Sequence, residues 1–305
     1  MAVDPVPFTF TRAGSRLAST LYLPPTAPAA AVVTTGPLTS VKEQAAGVYA
    51  AALARRGFAA LAFDHRTFGA SEGTPRQLED PLGKVADIRA AVSALQADER
   101  LKGLPVVALG VCAGGGYMAR AVADDPRIGA FAGVAGVYPG AAAPDLAAVE
   151  RGRVARRRRL ASGVVETIPA VAADGGDVAM PLREAFEYYG TARGAVANYT
   201  NAFAVESYEH PAVDAQEAAT RLAVPFLLVH SEHALVPSLA RKFYATVTST
   251  KSELWLDSAG QIDFYDDPRL IEPAAEAAAE LFRRAAQRTK PQPSDAPVSG
   301  YGPYG

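Results

Sequence analysis

A chain of 305 residues, 49% hydrophobic and 20% charged, can bury a sizeable core and is too apolar to be a disordered chain. Its net charge of -2 gives no electrostatic reason to expect nucleic acid or a membrane surface as partner. The single cysteine excludes an intrachain disulfide and fits a reducing compartment.

The first residues, MAVDPVPFTFTRAG, have neither the cationic start nor the apolar run of an export signal. No uncharged stretch reaches the roughly 20 residues of a membrane span, so a cytoplasmic protein is expected. PFTFTR at 7–12 and LASTLYL at 17–23 alternate around an AGS turn, the pattern of two antiparallel strands. AAVVTTG at 30–36 is continuously apolar, as in a strand covered on both faces. Helix-like and strand-like stretches then alternate. A helix over 42–56 precedes a strand at 58–64, and a helix over 83–98 precedes a strand at 104–111. A helix from Ala113 precedes a strand at 128–138. After an interruption the rhythm resumes with a strand at 224–230, a helix at 238–247, a strand at 253–257 and a helix at 270–288. This alternation predicts an α/β fold with a doubly wound, mostly parallel sheet and its ligand at the carboxyl ends of the strands.

The interruption at 140–218 is too long for a loop and predicts a helical cap inserted over those strand ends. Residues 1–139 and 219–288 then form the core. The Pro, Gly and Ser-rich stretch 289–305 is expected to be a disordered tail.

The chemistry centres on LGVCAGGGY at 109–117. Gly110-Val111-Cys112-Ala113-Gly114 matches a turn that lifts a nucleophile between strand and helix, with glycines removing side chains that would collide. The helix N-terminus behind Cys112 offers N–H groups to a developing oxyanion. The alternative is a small, buried, structural cysteine.

Three stretches, AFDHRTFGASEG at 62–73, GVCAGG at 110–115, and VHSEHALVP followed by SAGQIDFYDD, resemble α/β-hydrolase-fold proteins in their order and spacing. The likeness spans roughly residues 5–287 and extends to dienelactone-hydrolase relatives and natural-product-pathway members, some with cysteine at the elbow. It implies oxyanion N–H donors at Ala113 and, since Pro37 has none to give, Leu38. It also implies an acid near Val236-Pro237, where this chain has His233, and a histidine base after the last strand. Gln261 stands there instead, and none of the four histidines follows Trp255. An amide cannot take and return a proton near neutral pH. His233, from the neighbouring loop, is therefore the candidate to move the proton beside Cys112 and Gln261.

Tyr188, Tyr189, Asn198 and Tyr199 are candidates to line a pocket for a medium-sized, partly apolar, oxygenated molecule. No spacing of His, Cys and carboxylates suggests a metal, and no cofactor loop is recognisable. The run from Arg151 to Arg159 reads as a solvated face, with an acidic carrier protein or a coenzyme A thioester as the other reading. Self-association as a homodimer stays open. The expected function is a cysteine-dependent hydrolase or acyl-transfer enzyme acting on an ester, lactone or thioester. The alternatives are a non-hydrolytic cyclase or isomerase, and a binding protein.

Overall fold

The computed structural model describes residues 3–288, so the expected tail at 289–305 lies outside the described residues. Two strands, β1 (Asp4–Arg12) and β2 (Ser15–Leu23), pair antiparallel around the Ala13-Gly14 turn, both residues at positive φ. The chain then runs β3 (Ala31–Thr35), α1 (Ala45–Ala54), β4 (Ala59–Phe63), α2 (Pro81–Ala97), β5 (Val106–Val111), α3 (Ala113–Ala123) and β6 (Ile128–Val134). The strand expected over 128–138 stops at Val134 because Ala135 turns to φ 41°.

Between β6 and the next core strand lie α4 (Leu146–Ser162), β7 (Thr167–Ile168), α5 (Arg183–Tyr189), β8 (Phe203–Ala204) and α6 (Ala215–Arg221). The region expected to be purely helical therefore also holds a two-stranded antiparallel sheet of β7 and β8. The chain closes with β9 (Phe226–His230), α7 (Pro237–Thr246), β10 (Lys251–Trp255), α8 (Asp263–Asp266) and α9 (Pro268–Arg288).

The main sheet has eight strands in the order β1-β2-β4-β3-β5-β6-β9-β10, parallel from β4 onward. β3, β4 and β5 are buried at every residue, which is why they read as continuous apolar runs rather than alternating ones. One apolar layer joins α1 and α9 to one face of the sheet, and a second joins α2, α3 and α7 to the other. No helix among the described residues is long and apolar enough to cross a membrane.

The loop after β4 is built on a buried carboxylate. Asp64 accepts from the Lys42 N–H (2.7 Å), the Lys42 ammonium (3.0 Å) and the Ala70 N–H (2.9 Å). These contacts fasten the loop after β4 to the loop after β3, which carries Leu38. Gly69, at φ 50°, has no room for a side chain: a Cβ there would lie 2.3 Å from Asp64 Oδ2. Asp64→Ala leaves two N–H groups without their acceptor and the Lys42 ammonium with Glu43 alone (2.6 Å), and we expect a cost of about 2–4 kcal/mol in urea unfolding. Asp64→Asn, which keeps an acceptor, should cost less; a loss under about 1 kcal/mol for the alanine variant contradicts this anchoring role.

Candidate functional site at Cys112

β5 ends at Val111 and α3 begins at Ala113, so the entire turn between strand and helix is one residue. Cys112 takes φ 55° and ψ −125°, a conformation that costs an L-residue about 1–3 kcal/mol. Its neighbours make that conformation compulsory. A Cβ on Gly110 would lie 2.5 Å from the Gly114 carbonyl oxygen, and one on Gly114 would lie 2.6 Å from that of Gly36. The Cys112 N–H donates to Val134 (3.1 Å), and its carbonyl accepts from Gly115 and Val137 (2.9 Å each).

The thiol is buried, 7% of the residue being exposed. The Tyr265 hydroxyl, the Ala113 N–H, the Gln261 side chain and the Leu38 N–H all reach it. Burial pushes the thiol above its ordinary 9.0 even though each of those contacts favours the thiolate. The Tyr265, Tyr189 and Tyr117 phenols are pushed well above 10, first by burial, with the nearby thiol adding to it. At neutral pH the site is therefore uncharged. It surrounds sulfur with hydrogen-bond donors and offers no group that takes a proton near neutral pH.

Gln261 is fixed rather than free. Its Oε1 accepts from the Leu235 N–H (3.0 Å) and its Nε2 donates to the Ala135 carbonyl (2.8 Å). With 1% of the residue exposed, it ties the turn after β6 to the loop after β9. Tyr265, four residues on and next to α9, presents its hydroxyl to both Gln261 and Cys112. Sequence reasoning did not single it out. The available signal was an aromatic hydroxyl one helical turn beyond Gln261.

His233 is a correction. Its side chain is 63% exposed, and its Nδ1 lies 2.8 Å from the Ser258 carbonyl. The buried Gln261 side chain, and not this imidazole, is the group from these loops that reaches the thiol. His233 instead lines an open groove of about 620 Å³ with Asp257, Ser258, Asp263, Asp267 and Arg269. Cys112 is not among the residues that line that groove.

Of the expected lining residues, Tyr189 comes nearest the thiol. Tyr188 packs edge-on against Tyr189 (4.8 Å) and Tyr265 (5.5 Å), and Tyr199 stacks on Tyr189 (5.2 Å). Asn198 departs from expectation: its Nδ2 donates to Glu43 (2.7 Å), bridging to the loop after β3 instead of facing Cys112. On the other side, Tyr117 donates to Glu79 (2.8 Å), which also accepts from Lys84 (2.7 Å), all three buried. Tyr117 and Ala113 line a cleft of about 90 Å³ with Pro81, Val137, Pro139 and Val213. The arginine run is neutralised within the chain: Arg151 pairs with Asp177, Arg157 with Glu150, Arg158 with Glu166 and Arg159 with Glu206. Among the described residues no cluster of His, Cys, Asp and Glu could hold a metal ion.

A β5–Cys112–α3 elbow at the carboxyl end of a parallel sheet is the architecture of an α/β hydrolase. Residues 26–260 match the serine aminopeptidase S33 family, and the chain belongs to it. An uncharacterised protein of Escherichia coli K12, YcjY, is 36% identical over 193 residues, which are 58% of this chain and 63% of that protein. The chain thus spans under two thirds of that relative. The uncharacterised protein PA2218 of Pseudomonas aeruginosa is 30% identical over 277 residues, 84% of this chain and 74% of that protein. Its crystal structure superposes with a TM-score of 0.78 over 93% of this chain and 94% of its own. DcsB, solved with its substrate analogue, shares the fold with a TM-score of 0.81 at 20% identity, over 94% of this chain and all of its own.

The raised thiol sets a pH dependence. The folded protein holds the Cys112 proton more tightly than the unfolded chain, so this contribution to stability is complete below pH 9.0 and is lost as pH rises through the higher folded value. Relative to Cys112→Ala, the wild type should therefore lose urea stability as pH rises above 9.0. Its alkylation by iodoacetamide should rise with a midpoint above that of a free thiol. Alkylation already complete at pH 7, with a midpoint below 8, contradicts the burial argument.

Proposed function

We propose that the enzyme transfers acyl groups by way of Cys112, with a thioester as the preferred donor. The observation that carries this reading is the convergence of Leu38, Ala113, Tyr265 and Gln261 on the thiol in a buried site where no imidazole reaches it. A carbonyl oxygen entering beside the sulfur meets the Leu38 and Ala113 N–H groups, which can hold the charge that develops as the carbonyl becomes tetrahedral. Thiol exchange consumes no net proton: the thiolate fraction of Cys112 attacks, and its proton reappears on the leaving thiol. The Cys112 Sγ–carbon bond forms, the donor's carbon–sulfur bond breaks, and the Cys112 proton passes to the departing sulfur. The Tyr265 hydroxyl, in contact with Sγ, is placed to relay that proton.

The same logic disfavours amides, despite the family's aminopeptidase description. An amine leaves only when an acid protonates it, the task an imidazolium performs in a complete triad. Without an imidazole to activate water, the acyl-cysteine is slow to hydrolyse. It persists until a better nucleophile, an amine or a second thiol of the same or another substrate, takes the acyl group and gives its proton to Sγ. A segment lying over the strand ends, as expected for residues 140–218, would keep water from that intermediate. The thioester's carrier, a protein or coenzyme A, is not assigned. The paired arginines of α4 give no support to an anionic one.

A second reading follows from the raised thiol. With its sulfur neutral, the site can hold a carbonyl compound without attacking it and steer a cyclisation or isomerisation by position and electrostatics. Intact-mass measurement separates the two. With an N-acetylcysteamine acyl thioester, acyl transfer predicts one equivalent of thiol released quickly, an acyl mass increment on Cys112, and neither in Cys112→Ala. Multiple turnover that survives in Cys112→Ala, with no adduct on the wild type, refutes the covalent reading.

A further inference from the structure

Beyond the donors that reach Sγ, three more hydroxyls surround the site: one has no hydrogen-bond partner, and the other two have only each other. They are the side chains of Tyr189, Tyr199 and Thr39. Tyr189 and Thr39 are 5% and 1% exposed, so water does not satisfy them from bulk. A buried hydroxyl without a protein partner is costly, and this cluster keeps hydrogen-bonding capacity free beside the thiol. Their arrangement is specific. Tyr189 lies close enough to Cys112 for the thiol to raise its phenol, and Tyr199 stacks on Tyr189. Thr39 faces Tyr199, whose phenol is pushed up to about 12 chiefly by burial.

Thr39 is also strained, at φ 60°, and directly follows Leu38. A threonine has no ease in that region, so the turn that aims the Leu38 N–H at the thiol also holds the Thr39 hydroxyl inward at a cost. The hydroxyls of Tyr49 and Tyr138 lack partners as well, but only burial raises their phenols, with no influence from the thiol. They belong to the core.

We infer that Tyr189, Thr39 and Tyr199 form a second polar subsite, which binds an oxygen atom on the acyl chain beyond its reacting carbonyl. This rests on the acyl-transfer reading and sharpens it: the substrate class is oxo- or hydroxy-acyl thioesters rather than plain fatty acyl ones. Hydroxyls in a closed site discriminate strongly, because an acyl chain without the oxygen leaves them unpaired. The apolar rings of Tyr188, Tyr189 and Tyr265 would hold the chain between its two oxygens.

The test compares 3-oxohexanoyl and hexanoyl N-acetylcysteamine thioesters by the rate of Cys112 acylation. The wild type should favour the oxo donor by about tenfold or more. Tyr189→Phe and Thr39→Val should each slow the oxo donor about tenfold more than they slow hexanoyl. The variant comparison cancels the greater intrinsic reactivity of a 3-oxo thioester. Equal losses on both donors, or an unchanged preference, overturn the subsite. If hexanoyl acylates Cys112 as fast as the oxo donor, the subsite fails and the acyl-transfer reading stands. If neither acylates, calorimetry of the matching unreactive amides on Cys112→Ala still reads the subsite: tighter binding of the oxo amide supports it, and equal binding overturns it.

Discussion

Everything at the site follows from how closely β5 and α3 approach one another. A one-residue connection between a buried strand and a helix forces Cys112 to φ 55°, and the strain holds because Gly110 and Gly114 let three backbone segments meet at van der Waals distance. That approach brings the Ala113 N–H under the sulfur. It also seats the loop after β3, anchored to Asp64 through Lys42, so that the Leu38 N–H arrives from the opposite side. Thr39 is carried along by the same turn. Elbow, donor pair and the Thr39 hydroxyl are consequences of one backbone constraint.

The second determinant is what stands where a base is expected. Gln261 occupies a buried junction between the turn after β6 and the loop after β9, with both ends of its amide engaged. It holds Tyr265 and Cys112 in register and lends a donor. It cannot move a proton as an imidazole does. A site made of donors stabilises negative charge on an entering carbonyl, while burial keeps its own thiol neutral. On the proposed reading, such a site forms an acyl-enzyme from a donor with a good leaving group and is poorly equipped to hydrolyse it.

The sheet was legible in the sequence because β3, β4 and β5, covered on both faces, read as unbroken apolar runs, and because turn chemistry separated them cleanly from the helices. The elbow was legible for the same reason: its glycines mark a steric limit that only a few sequences meet. His233 misled because position in a motif carries no information about which way a loop side chain points. Its ring is held outward by the Ser258 carbonyl, a contact made across 25 residues of chain. Asn198 misled similarly, since its partner Glu43 lies 155 residues away. Tyr265 was overlooked because a tyrosine in a short helix looks like packing until the thiol above it is known. The strain at Thr39 has no sequence signature at all, as threonine is a poor residue for positive φ.

The central claim is that an acyl group on Cys112 has no histidine to hydrolyse it, and the decay of the isolated acyl-enzyme in buffer measures this most directly. General-base help is worth about 10²–10⁴-fold, so its absence should be plain in the rate. Between pH 5 and 8 the decay should be slow, rising only with hydroxide concentration, and the same in His233→Ala. A fast decay that vanishes in His233→Ala would mean that an imidazole reaches the site after all, and would contradict the account.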